Sequence, residues 1–221
     1  MEKMKTIKVA PSILSADFGH LTDDINKLGN EADFLHIDVM DGHYVPNISF
    51  GMPIIQSIRL QTEILFDVHL MITNPVEFLP AFAKAGADII TFHIETVDDP
   101  ADVIRKIHAL NKKAGISIHP DTSIEKIYPF LADVELVLIM SVYPGFGGQS
   151  FLPAALDRII AVRTELDAIG SAAILSVDGG INEKTASAAV TAGASLLVTG
   201  NAVFGDKDPA AAIRRIKQCA G

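Results

Sequence analysis

Short apolar runs rich in Val, Ile and Leu recur along the whole chain, at residues 7–11, 34–39, 64–69, 88–93, 115–118, 136–141, 173–178 and 195–199. Each reads as a strand, and between most of them lies a segment with helical periodicity. Phe18, Leu21, Ile25 and Leu28 form one such stripe behind the cap candidate Ser15. Val103, Ile104, Ile107 and Leu110 form a second, and Leu156, Ile159, Ile160, Val162 and Leu166 a third. Ala85-Gly86-Ala87, Ala114-Gly115 and Ala192-Gly193-Ala194 mark helix ends, where Gly suits a left-handed cap that turns the chain into the next strand. Eight strands alternating with helices predict an α/β protein, a (β/α)8 TIM barrel formed by residues 1–221 as one domain. An open doubly wound sheet would usually show G-x-G-x-x-G after its first strand; here that strand runs into Pro11-Ser12-Ile13-Leu14.

Composition narrows the function classes. Half of the 221 residues are hydrophobic (49%) and a fifth are charged (20%), the profile of a folded globular protein. A net charge of −9 argues against a nucleic-acid partner, which would require a basic face, but leaves room for an anionic metabolite held by backbone N–H groups. The lone Cys219 allows no intrachain disulfide. Residues 1–8 contain no signal-peptide core, and no apolar run approaches a membrane span, so no membrane association and a cytoplasmic location are expected.

Four short segments concentrate the chemistry: His36-Ile37-Asp38, Asp67-Val68-His69, Ser141 to Gln149 and Asp178-Gly179-Gly180. His36 and Asp38 stand two apart on one strand and therefore share a face. His69 ends the next strand and Asp178 ends the seventh. A lone strand-end His is more often a scaffold residue than a ligand. Two His and two Asp at the same end of a barrel, however, can ring one divalent ion: Zn²⁺ first, with Fe²⁺, Mn²⁺ or Co²⁺ as alternatives. Asp67 lies one layer deeper on the face of His69 and suits a partner for an imidazole N–H. Asp41 and His43 fall in a turn, His93 at another strand end is a candidate lining residue, and His20 and His108 read as helical surface.

Glycine-bearing loops follow the last three strands: Pro144-Gly145-Phe146-Gly147-Gly148-Gln149, Gly179-Gly180, and Thr199-Gly200-Asn201. Loops in these places commonly bind phosphate in a barrel, because unhindered N–H groups can reach its oxygens.

Longer stretches carry a family resemblance. Ala10-Pro11-Ser12-Ile13-Leu14-Ser15-Ala16-Asp17-Phe18 resembles the opening of ribulose-phosphate 3-epimerases. So do His36-Ile37-Asp38-Val39-Met40-Asp41-Gly42-His43-Tyr44-Val45-Pro46-Asn47, Asp67-Val68-His69-Leu70-Met71, the Pro144 to Gln149 loop and Val177-Asp178-Gly179-Gly180-Ile181. The resemblance runs in order over essentially the whole chain and implies a barrel of the ribulose-phosphate-binding type.

It further implies an isomerase of the pentose phosphate pathway that interconverts D-ribulose 5-phosphate and D-xylulose 5-phosphate. Two-base proton transfer at C3 would pass through a metal-stabilised enediolate. Asp38 and Asp178 take the acid/base roles, and His36, Asp38, His69 and Asp178 the metal. Substrate contacts fall to Ser12, His69, Gly145, Phe146, Gly147, Gly148, Gly179, Gly180, Gly200 and Asn201, with Met40, Met71 and Met140 lining the pocket. A homo-oligomer is expected on the same basis. Three departures stand out: Tyr143 where the family usually has Asn, His119-Pro120-Asp121-Thr122 where Asn-Pro-x-Thr is common, and Asn201 where Ser is more frequent. Tyr143 and His119 are bulky pocket-lining candidates, so a related ketose phosphate such as D-allulose 6-phosphate is the alternative substrate. A Schiff-base aldolase would need a strand-end Lys, and none of the eight runs ends in one.

Overall fold

The computed structural model describes residues 7–221; the leader reading of the N-terminal segment lies outside them as far as residue 6. Each predicted strand forms, within two residues at either end. They are β1 (Lys8–Pro11), β2 (Phe34–Met40), β3 (Leu65–Met71), β4 (Ile89–His93), β5 (Lys113–Ile118), β6 (Leu136–Met140), β7 (Ile174–Asp178) and β8 (Leu196–Thr199). All neighbouring pairs are parallel, in the order β1-β8-β7-β6-β5-β4-β3-β2. A parallel bridge between Ser12 and His36 joins the two ends of that order and makes the sheet a barrel.

The helices are α1 (Leu21–Asn26), α2 (Met52–Arg59), α3 (Pro75–Ala85), α4 (Pro100–Ala109), α5 (Ala155–Ala168), α6 (Ala186–Thr191), α7 (Asn201–Phe204) and α8 (Pro209–Ala220). Pro opens α3, α4 and α8, where its missing N–H costs nothing. Asp99 and Asp208 cap the latter two by accepting from the N–H groups of Asp102 and Ala211. The connection after β5 is a 3-10 segment, Ile124–Phe130, with Pro129 inside it.

Alternation along the strands sorts the buried side chains into two sets. Ile37, Val68, Ile90, Ile116, Val137 and Leu175 point outward and pack with the helices. Phe34, Ile89, Leu136, Leu138, Leu196 and Val198 point inward and fill the barrel. Each fully buried Leu, Ile or Phe contributes roughly 1.5–3 kcal/mol, enough in sum to carry a polar cluster inside the same barrel. That cluster sits above the apolar plug, toward the strand C-termini: His36, Asp38, Asp67, His69, Thr91 and His93 are all buried there.

Five local expectations are corrected. Ser12, not Ser15, accepts a capping bond (from the Leu14 N–H), and it opens a 3-10 turn, Ile13–Ser15. α1 consequently starts later, at Leu21, with His20 as its exposed N-cap, so His20 precedes the helix. Phe18 stays outside, half exposed and edge-on to Phe50. Ile160 lies on the solvent side of α5, while Ile159, Val162 and Leu166 face the core. Gly115 caps no helix: α4 ends through Asn111 in the left-handed region (φ 56°), and Gly115 is part of β5. Gly86 and Gly193 do end α3 and α6, with φ 113° and 118°.

Candidate metal centre and cavity

The two-residue spacing of His36 and Asp38 on β2 and of Asp67 and His69 on β3 turns all four inward, and Asp178 joins them from the end of β7. One donor atom from each of His36, Asp38, His69 and Asp178 falls within 4.8 Å of the others. His36 Nε2 lies 3.2 Å from His69 Nδ1 and 3.3 Å from Asp38 Oδ1, and His69 Nδ1 is 3.2 Å from Asp38 Oδ1. Asp178 Oδ2 is 3.9 Å from His36 Nε2. Tetrahedral donors about 2.0–2.2 Å from a zinc ion stand roughly 3.3–3.6 Å apart. The His36, His69 and Asp38 atoms lie close to that spacing, Asp178 stands slightly beyond it, and the donor chemistry of all four suits a divalent cation.

The converging donor atoms leave one nitrogen on each ring, and both are occupied. His36 Nδ1 meets Asp67 Oδ2 at 2.9 Å, and the other oxygen of Asp67 accepts from Thr91 Oγ1 at 2.6 Å. Asp67 thus has the role expected of it, on the ring of His36. His69 Nε2 meets His93 Nε2 at 2.9 Å, and His93 Nδ1 lies 2.9 Å from the Tyr44 hydroxyl and 3.3 Å from Glu95 Oε2. Tyr44, Thr91 and Glu95 were not foreseen. For Thr91 a signal existed, since it stands two residues before His93 on one strand face; Tyr44 lies in a loop and Glu95 in a 3-10 turn, Ile94–Thr96, where the two-residue strand rule does not apply.

Charge in the cluster is uneven. Burial alone would raise the pKa of Asp38, but the His36 and His69 rings outweigh it and hold that carboxyl far below the usual range. Ser12 Oγ also donates to Asp38 Oδ2, at 2.5 Å. Asp178 moves the other way, raised by burial and by the neighbouring Asp38 charge. Burial opposes a charge on His36, yet Asp38 and Asp67 raise its pKa well above the ordinary value. Burial pushes His93 down to about 4, against the pull of Glu95, so His93 is neutral.

Asp38 and Asp178 form part of the lining of a cavity of about 360 Å3 at the barrel mouth. Met40, Met71 and Met140 supply apolar wall, and Ser12 joins them. The loops after β6, β7 and β8 close the remaining sides with Gly145, Phe146, Gly147, Gly148, Gly179, Gly180, Gly200 and Asn201. No Lys or Arg is among the described lining residues. At Gly180, with φ 65°, a Cβ would lie 2.8 Å from Phe151 Cα, so only glycine brings the loop this close. Asn47 Nδ2 donates to the Gly145 carbonyl at 2.8 Å and ties the loop after β2 to the loop after β6 across the mouth.

Three residues expected to contact substrate or line the pocket are not among the described residues of the cavity wall. His69 is fully buried with both nitrogens engaged, so it lies behind the cavity and not on its surface. Tyr143 and His119 also lie outside the cavity lining. Their rings meet at 5.5 Å, and Tyr143 turns its hydroxyl to Asp121 at 3.0 Å, which draws both side chains toward the β5 loop. The turn at Asp41 is as expected: its carboxylate accepts from the N–H groups of His43, Tyr44 and Thr73. His108 is exposed on α4 beside Glu135.

Residues 8–204 match the model of the ribulose-phosphate 3 epimerase family. A ribulose-phosphate 3-epimerase of Bacillus subtilis is 47% identical over 215 residues, covering 96% of this chain and 98% of that relative. One of Mycobacterium tuberculosis is 46% identical over 213 residues, covering 96% and 93%. Among solved structures, KGPDC from Streptococcus mutans superposes with a TM-score of 0.71 at 15% identity, over 97% of each chain, a likeness of fold. No helix among the described residues is long and apolar enough to cross a membrane.

Proposed function

The chain belongs to the ribulose-phosphate 3-epimerase family, and on that premise we propose that it interconverts D-ribulose 5-phosphate and D-xylulose 5-phosphate with one divalent ion, Zn²⁺ foremost. The observation that carries this is the convergence of His36, Asp38, His69 and Asp178 donor atoms within 4.8 Å beside a glycine-walled cavity. An ion held there supplies Lewis acidity toward the C2 ketone oxygen, where negative charge develops as C3 loses its proton.

Asp38 and Asp178 are the acid/base pair. They enter from β2 and β7, with β8 and β1 between them, and both face the cavity. Inversion at C3 needs one carboxylate to take the proton and another to return one to the opposite face of the planar intermediate. Ser12, by donating to Asp38, holds one of these carboxylates in a single orientation. Met40, Met71 and Met140 surround the reacting carbon with apolar surface that keeps bulk water away. The backbone of Gly147, Gly148, Gly180, Gly200 and Asn201 holds the phosphate, which explains how an acidic protein binds an anion without a cationic side chain in the lining. Cytoplasmic action and a symmetric homo-oligomer belong to the same proposal.

Side-by-side rates on D-ribulose 5-phosphate and D-allulose 6-phosphate test the substrate. The position of Tyr143 and His119 outside the lining supports the five-carbon sugar. A faster reaction on the six-carbon sugar would overturn that choice.

A further inference from the structure

His69 presents Nδ1 to the other metal-facing atoms, 3.2 Å from both His36 Nε2 and Asp38 Oδ1. A nitrogen that binds a cation carries no proton, so the His69 ring must keep its proton on Nε2. The described partner of that Nε2 is His93 Nε2, at 2.9 Å, with the two rings stacked 4.9 Å apart at 29°. His93 must therefore accept at Nε2 and hold its own proton at Nδ1. That proton points to the Tyr44 hydroxyl at 2.9 Å, and Tyr44 in turn donates to Glu95 Oε2 at 3.3 Å. Every donor in the series points outward and the series ends on a carboxylate. The opposite order would put a proton on the metal-facing Nδ1.

We propose that His93, backed by Tyr44 and Glu95, is a positioning residue that fixes the tautomer and ring plane of His69 so that Nδ1 faces the metal site. This rests on the metal reading above. A neutral imidazole suits the place better than a carboxylate. Asp67 already sets one full negative charge behind His36, and a second buried beside Asp38 and Asp178 would add like-charge repulsion. His93 instead passes the bond to Glu95, whose other oxygen accepts from the His119 N–H at 2.9 Å outside the barrel. Tyr44 belongs to the loop after β2, so the same series links a ligand on β3 to the rim of the mouth.

Zn²⁺ affinity of the intact protein, measured by competition with a chromophoric chelator, reads the proposal directly. His93→Leu should weaken Zn²⁺ binding by about 10–100-fold, the usual effect of losing a ligand's hydrogen-bond partner. His93→Gln, whose amide oxygen can still accept from Nε2, should recover most of the loss. Nitrogen-15 chemical shifts of the metal-free protein give a second reading. Because His69 Nδ1 also lies 3.2 Å from Asp38 Oδ1, the Nε2–H tautomer of His69 should take a larger share in the wild type and the Gln variant than in the Leu variant. Wild-type affinity together with an unchanged tautomer in His93→Leu would overturn the proposal. If His93→Leu fails to fold, Glu95→Gln decides, with a smaller loosening expected and wild-type affinity contradicting. A wild-type protein that binds no Zn²⁺ would sink the zinc assignment, while the tautomer comparison would still decide the role of His93.

Discussion

Asp67 Oδ2 lies 2.9 Å from His36 Nδ1, and both residues are wholly inaccessible to solvent. A carboxylate buried beneath an imidazole fixes which nitrogen faces the ion and makes that nitrogen a better donor. Asp67→Asn retains size but removes the charge. We expect it to weaken Zn²⁺ binding by about 10–100-fold and to lower kcat with it. Equilibrium dialysis of the variant beside the wild type checks this, and equal affinities would remove Asp67 from the account.

Gly115 gives Thr91 the space to reach Asp67. A Cβ at Gly115 would come 3.0 Å from Thr91 Cβ and nearer still to Thr91 Oγ1. Gly115→Ala should therefore destabilise the fold by about 1–3 kcal/mol in urea unfolding, as overpacking does. The cost should fall when Thr91→Ala is added, because the atom in conflict is then gone. Strict additivity of the two changes would contradict a contact between them.

Acid sensitivity should have a component assignable to Asp41. Partial burial pushes its carboxyl up, but bonds from the N–H groups of Thr73, His43 and Tyr44 and from the Thr73 hydroxyl outweigh this and bring it down to about 2. Because the folded pKa lies below the unfolded one, the stabilisation is complete above about pH 4 and lost as pH falls through 2. It should amount to about 1–2 kcal/mol at neutral pH. The stability difference between wild type and Asp41→Asn, followed by unfolding at a series of pH values, should shrink over that window. A constant difference would show that the carboxylate charge is not what Asp41 contributes.

Tyr143 and His119 should matter less to substrate choice than their bulk suggests. Both lie outside the cavity lining and pair with one another and with Asp121. Tyr143→Asn and His119→Asn, singly and together, should each change the ratio of kcat/KM for five- and six-carbon ketose phosphates by less than about tenfold, equivalent to 1.4 kcal/mol. A larger swing would place these side chains at the substrate.

How much of this was legible in the sequence follows from what each residue depends on. The strands were readable because each is a dense apolar run, and the barrel because they recur with helices between them. His36, Asp38, His69 and Asp178 could be grouped because strand ends of a barrel converge whatever their separation in the chain. Asp67 could be placed by parity alone. His93 was visible only as a strand-end residue: its service to His69 depends on Tyr44, 49 positions earlier in a loop whose path no periodicity describes. Tyr143 and His119 entered as pocket candidates through the family resemblance alone, and their pairing with each other and with Asp121 is a contact between loops that no spacing rule describes. Gly115 looked like a helix cap because Ala-Gly ends helices elsewhere in the chain, whereas here Asn111 takes the left-handed position.

Proton traffic at C3 tests the central claim most directly. Wild-type protein loaded with Zn²⁺ is incubated with D-ribulose 5-phosphate in D2O, and deuterium at C3 is followed by NMR alongside the formation of D-xylulose 5-phosphate. Two-base inversion through Asp38 and Asp178 predicts deuterium at C3 of the product formed, with both exchange and epimerisation greatly reduced in Asp178→Asn. Product formed without deuterium at C3, or an Asp178→Asn variant as fast as the wild type, would contradict it.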